Sequence, residues 1–263
     1  MNFGITGRGA IVGGSSSGIG LACADLLLAE GVRVVLVSRS EAKLATVSDA
    51  LASKHGHAVP YVVADLSTAA GAEEAFGGAE EKLGEIDILV NNAGGPKSGP
   101  FEALSDADWE SSFHLNLMSV VRLARLASPG MKSRGWGRIV NITSTSVKQP
   151  IEGLMLSNSI RMSVVGFAKT LADELGPFGV TVNTVAPGYT GTERLVQLAV
   201  AKASRTGTTK ESVLEEWRSG VPLRRIGLPE EVAAAVVWLC SEQGAYITGV
   251  TLAVDGGRTR ASL

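Results

Sequence analysis

A glycine-rich turn, Gly13-Gly14-Ser15-Ser16-Ser17-Gly18-Ile19-Gly20, separates a short apolar run from a helical pattern, and it limits the fold more than any other stretch. Gly14, Gly18 and Gly20 fall in a G-x-x-x-G-x-G spacing. With no side chains there, backbone N–H groups and a helix N-terminus can approach a pyrophosphate. The run at 10–12 leads into the turn, 21–30 carries a helix-like apolar face, and 32–37 reads as the next strand. That is a β-α-β unit, whose right-handed crossover sets its two strands parallel.

The same alternation continues down the chain. Helical patterns at 41–54, 70–83, 107–128, 157–175 and 229–241 separate strand-like runs at 58–63, 86–90, 138–142, 180–185 and 250–254. The strands are continuously apolar, as parallel strands covered on both faces must be. The expected fold is therefore α/β, one Rossmann-type domain over 1–263, a doubly wound parallel sheet of about seven strands with helices on both faces. The segment 193–221 mixes charge with Leu195, Val196, Leu198, Val213, Leu214 and Trp217, and it follows the C-terminal end of a strand. It is expected to form a helical lid.

A net charge of -2 with mixed signs gives no footprint for nucleic acid or an anionic membrane. No apolar stretch reaches the ~20 residues needed to span a bilayer. Cys23 and Cys240 lie far apart in helical apolar patterns, so they are expected to pack, with neither a disulfide framework nor a metal site. Small-molecule chemistry in a reducing, cytoplasmic setting is the expectation.

A fold of this kind reads the adenosine ribose about 20 residues past the turn, at the end of the second strand. Ser38 and Arg39 stand there, where an acid would accept from a free 2′-OH. A hydroxyl with a guanidinium suits a 2′-phosphate, which favours NADP(H) over NAD(H).

Taken together, the motifs resemble the short-chain dehydrogenase/reductase family, in the form that includes the 3-oxoacyl-carrier-protein reductases, over nearly the whole chain. The turn, with Ser16 and Ile19 inside it, resembles T-G-x-x-x-G-I-G, with Gly13 replacing the threonine. Asp65-Leu66 matches the family's adenine-contacting acid, and Asn91-Asn92-Ala93-Gly94 its N-N-A-G segment. Pro187-Gly188 with Thr192 matches the loop over the nicotinamide, and Val254-Asp255-Gly256-Gly257 the closing segment. The resemblance implies self-association as a homotetramer or homodimer through the long helices.

It also implies a catalytic Asn, Ser, Tyr and Lys, of which only Asn116 and Ser144 stand in register. Ser157 occupies the tyrosine position and Arg161 the lysine position. Hydride delivery to a carbonyl leaves an alkoxide that needs a proton. A phenol with a pKa of about 10 can be tuned to give one, and a serine hydroxyl is a far weaker acid. An unreplaced acid costs roughly 10²–10⁴ in rate, about 3–5 kcal/mol. Arg161 shares a helix face with Ser157 and can hold a nicotinamide ribose or pair within a helix interface, but it cannot easily relay a proton, because a guanidinium is too weak an acid. Tyr189 is the first replacement donor and Lys148 the second, with Lys97 also near the mouth; His114 is expected to pack.

Two readings follow. One is a divergent NADP(H)-dependent oxidoreductase acting on a small carbonyl or alcohol with altered proton delivery, Ser144 and Asn116 polarising the carbonyl and holding a water. The other is a cofactor-binding protein with little turnover, serving as a sensor or structural subunit. A lyase or isomerase on the same fold ranks last.

Overall fold

In the computed structural model, which describes residues 3–261, β-strands buried along most of their length form the centre of the molecule. Seven of them make one sheet in the order β3-β2-β1-β4-β5-β6-β7, every pair parallel. They are β1 (Gly9–Gly13), β2 (Arg33–Ser38), β3 (Tyr61–Val63), β4 (Ile88–Asn91), β5 (Gly137–Ile142), β6 (Val180–Pro187) and β7 (Thr251–Val254). Side chains alternate between two cores. Ala10, Val12, Val34, Leu36, Val90 and Val140 face one layer, while Ile11, Val35, Leu89, Ile139 and Val182 face the other. The first layer is α1 (Gly18–Ala29), α2 (Glu41–His55) and α9 (Pro229–Cys240), with Cys23 and Cys240 free and buried between α1 and α9. The second is α3 (Ala69–Leu83), α5 (Ser119–Arg134) and α6 (Met155–Leu175). The expected doubly wound sheet is thus present.

Three elements differ from the sequence expectation. The strand expected over 58–63 is only Tyr61–Val63, because Pro60 has no N–H to give the ladder and can only precede it. The helix expected over 107–128 is α4 (Asp106–Phe113), a wide turn over His114–Met118, and then α5, which continues past Pro129 to a left-handed Gly135. The 193–221 segment is two helices, α7 (Glu193–Thr206) and α8 (Lys210–Gly220), broken at Gly207 and restarted by the Thr209 hydroxyl, which accepts from Ser212 N. Leu195, Ala199, Ala203, Val213 and Trp217 form a small core of their own between these helices. Among the described residues no helix is long and apolar enough to cross a membrane.

Strand order reverses beside β1, whose neighbours are β2 and β4, so the chain leaves their C-terminal ends in opposite directions and opens a crevice there. The segments that follow β1, β2, β3, β4, β5 and β6 all line that crevice.

Candidate active site

The crevice is a cleft of about 360 Å³. At one end it is lined by Gly14, Ser16, Gly18 and Ile19 from the turn, Ser38 and Arg39 after β2, and Asp65 and Leu66 after β3. Gly14 and Gly18 both have φ of 57°, a left-handed conformation that side chains oppose. A Cβ on Gly14 would lie 2.8 Å from the Asn92 carbonyl oxygen, and one on Gly18 would lie 3.2 Å from Thr192 Cγ2. The turn is therefore fixed by its neighbours. Asn92 Nδ2 donates to Gly13 O at 3.1 Å, Val37 N donates to Ser15 Oγ at 2.9 Å, and Ser16 Oγ lies 2.9 Å from Ser38 Oγ. What remains open is a concave strip of backbone at the start of α1, which fits the diphosphate of a dinucleotide.

Burial alone would raise the Asp65 carboxyl, but donation from Ser67 N and Oγ and the nearby charge of Arg39 outweigh it and hold the group below its usual range. Asp65 is therefore an acceptor at neutral pH. Arg39 is exposed at the rim, free to meet a phosphate.

The other end is lined by Ala93, Gly94, Thr143, Ser144, Ser157, Arg161, Pro187, Gly188 and Thr192. Ser144 lies two residues past β5 and its Oγ accepts from Ser146 N at 3.1 Å, while Ser146 Oγ lies 3.1 Å from Ser157 Oγ. Ser146 thus joins the two cleft serines, and the Ser144 hydroxyl keeps its own proton to donate. Arg161, one turn beyond Ser157 on α6, donates from Nη1 to Ile142 O at 2.9 Å and from Nη2 to Gly94 O at 2.6 Å. Burial, helped by the charge of Arg194, pushes its guanidinium down to about 10. That is far below the value expected of an ordinary arginine.

Not every expected residue lines the cleft. Asn116 is buried in the wide turn after α4, and its Nδ2 donates to Gly94 O at 3.0 Å, the same carbonyl that Arg161 holds. It supports the cleft wall from behind, as Gly20 does from within α1. Tyr189 does not face the cleft at all: its ring stacks on Trp217, with centroids 4.8 Å apart, and Arg258 covers its other side at 4.4 Å. The expectation that Tyr189 replaces the proton donor therefore meets a ring already enclosed between two partners. Lys148 lies outside the lining, Lys97 pairs with Asp108 at 2.8 Å, and His114 is exposed beside Arg122.

Sequence reasoning missed Arg194. It lies in the first turn of α7, lines the cleft, packs its Nε against Gly95, and donates from Nη2 to the Pro96 carbonyl. Its place two residues after the Thr192 cap was the available signal. The wide turn that withdraws Asn116 has no sequence signature, although such insertions recur at functional sites.

Residues 14–259 match the sequence family described as Enoyl-(Acyl carrier protein) reductase. The chain belongs to the short-chain dehydrogenase/reductase family. It is 34% identical to the 3-oxoacyl-[acyl-carrier-protein] reductase of Aquifex aeolicus, with 98% of this chain and 99% of that protein covered. It is 34% identical to the acetoacetyl-CoA reductase of Cupriavidus necator, covering 96% and 98%. Among solved structures, L-sorbose reductase from Gluconobacter frateurii, complexed with NADPH and L-sorbose, superposes with a TM-score of 0.93 at 34% identity, covering 99% of this chain and 100% of that one. These three relatives are reductases.

Proposed function

We propose that the chain is an NADP(H)-dependent reductase of a small carbonyl compound in which Ser144 and Arg161, with Ser157 in a positioning role, do the work of the family's Ser, Tyr and Lys. The observation that carries this reading is the lining of one cleft. Gly14, Gly18, Ile19, Ser38, Arg39 and Asp65 share it with Ser144, Ser157 and Arg161. Arg39 and Ser38 favour the 2′-phosphate, with Asn92, Ala93, Gly94, Pro187, Gly188 and Thr192 around the remainder of the dinucleotide.

When bound, the nicotinamide supplies hydride. The Ser144 hydroxyl donates to the substrate oxygen and stabilises the charge that grows on it. Ser157, tied to Ser146, orients that serine pair and is too weak an acid to give up its proton. Arg161 is the proton source in this reading: it lines the same cleft as Ser144, and burial brings its guanidinium down to about 10, near the ordinary acidity of a phenol. The α7–α8 pair serves as a lid, its hinge-side cap at Thr192 resting on Gly18. Self-association through α4, α5 and α6 is supported by exposed Phe113, Met155 and Met162 on that side. The free, buried thiols of Cys23 and Cys240 accord with a reducing, cytoplasmic setting.

The test is NADPH oxidation with a panel of small carbonyls. Ser144→Ala is expected to lower kcat by roughly 10²–10³, the loss typical of one donor to a developing oxyanion, with NADPH affinity unchanged. Bound NADPH with no oxidation by any carbonyl would instead give the sensor or structural-subunit reading.

A further inference from the structure

The inner end of the cleft holds two guanidiniums. Arg161 donates to Gly94 O, and Arg194 is packed on Gly95 and donates to Pro96 O, so the two cations grip neighbouring peptide units of one loop, from α6 and from α7. They lie close enough for the charge of Arg194 to lower the pKa of Arg161 further. Both are held by backbone carbonyls, which carry no compensating charge. Asp65, at the opposite end beyond the turn, is the one carboxylate among the residues that line the cleft. Two partly buried cations without an anion are unfavourable unless a ligand supplies one.

An arginine has five N–H donors, and Arg194 gives one of them to Pro96. Its Nη1, which has no acceptor among the described residues, is left to meet a flat oxyanion. Beside the pair, Leu154 on one side and Leu195 and Leu198 of α7 on the other offer apolar walls for a short stem.

We infer that the substrate carries its own oxyanion, that Arg194 binds it with Arg161 alongside, and that the reducible group is the carbonyl of a short oxo acid or oxo phosphate. The inference rests on the reductase reading of the same cleft and adds the substrate class and a specificity residue to it. Arg194 then does two things. It selects anionic over neutral carbonyl compounds, and by joining α7 to the Gly94–Pro96 loop it couples substrate charge to the lid.

The test does not depend on turnover. Isothermal titration of acetoacetate and of dihydroxyacetone phosphate into NADP⁺-saturated protein is compared with titration of methyl acetoacetate and dihydroxyacetone, which lack the charge. At least one anion is expected to bind ten-fold or more tightly than its neutral analogue, and which anion does so tells carboxylate from phosphate. Arg194→Met is expected to abolish that difference, Arg194→Lys to restore part of it, and NADP⁺ affinity to stay within twofold in both. Equal affinity for charged and neutral compounds overturns the inference while leaving the reductase reading intact. So does an Arg194→Met variant that loses NADP⁺ affinity instead, because the anion served would then be the cofactor's diphosphate. Failure of NADP⁺ to bind the wild type overturns the reductase reading itself, and the inference with it.

Discussion

Gly18→Ala separates the stability of the turn from its binding function. The backbone there has φ of 57°, so alanine must adopt a left-handed conformation at a cost of about 1–2 kcal/mol. The new methyl also meets Thr192 Cγ2 at 3.2 Å, tighter than ordinary contact, so Thr192 must move by a few tenths of an ångström. Thr192 is the cap of α7, accepting from Leu195 N at 3.3 Å, and a helix cap of this kind contributes about 1 kcal/mol. The expected loss of stability is therefore about 1–3 kcal/mol, read as a shift in the urea midpoint with unchanged slope. NADPH affinity is expected to fall more than the fold suffers, by roughly ten- to a hundred-fold, or about 1.4–2.7 kcal/mol, because the methyl projects where the diphosphate approaches the backbone. Fluorescence titration of NADPH measures this on folded protein. Thr192→Ser, which removes the crowding methyl and keeps the hydroxyl cap, is expected to recover stability in the double variant without recovering affinity. A Gly18→Ala protein that is folded and binds NADPH within twofold of wild type would refute the assignment of this turn.

Arg39→Ala is expected to weaken NADPH binding by about 1.5–3 kcal/mol, the range for hydrogen bonds to charged groups, and to leave NADH affinity nearly unchanged in parallel titrations. For Arg161 the sign is that of a required acid: the protonated form predominates below about 10, so kcat for carbonyl reduction stays flat as pH rises to that point and declines beyond it. A limb near neutrality in the wild-type profile would assign proton donation to another group. Trp217→Ala removes a buried aromatic that packs the α7–α8 core and stacks on Tyr189, a change that typically costs about 3–5 kcal/mol. Hydrogen exchange is expected to show the loss confined to α7 and α8, with KM rising and the sheet unaffected.

The sheet was legible because its signals are local and redundant. Continuous apolar strands with turns and helices between them admit few parallel arrangements, and the glycine turn marks the first crossover. The binding end of the cleft was legible for a similar reason: Gly14, Asp65 and Asn92 each follow the end of a strand, Gly18 opens the helix after the first, and strand ends converge. The catalytic end was legible only as a departure, Ser157 and Arg161 in place of Tyr and Lys. What Arg161 becomes there depends on burial and on Arg194, two features set by tertiary packing, and so its lowered pKa had no sequence signature. Tyr189 illustrates the reverse. Its place beside the nicotinamide loop made it a reasonable donor, but the ring turned toward Trp217, whose position depends on how α8 folds back. Asn116 moved behind the wall through one widened helical turn, which neither composition nor periodicity reveals.

The central claim is that the cleft still moves hydride and proton without the family's tyrosine and lysine. Single-turnover mixing of wild-type protein, NADPH and a carbonyl substrate, followed by loss of nicotinamide absorbance, tests it most directly. The account predicts substrate-dependent oxidation by the wild type, faster with NADPH than with NADH and lost in Arg161→Met. Tight NADPH binding with no oxidation by the wild type, but oxidation by the Ser157→Tyr/Arg161→Lys double variant, would contradict it.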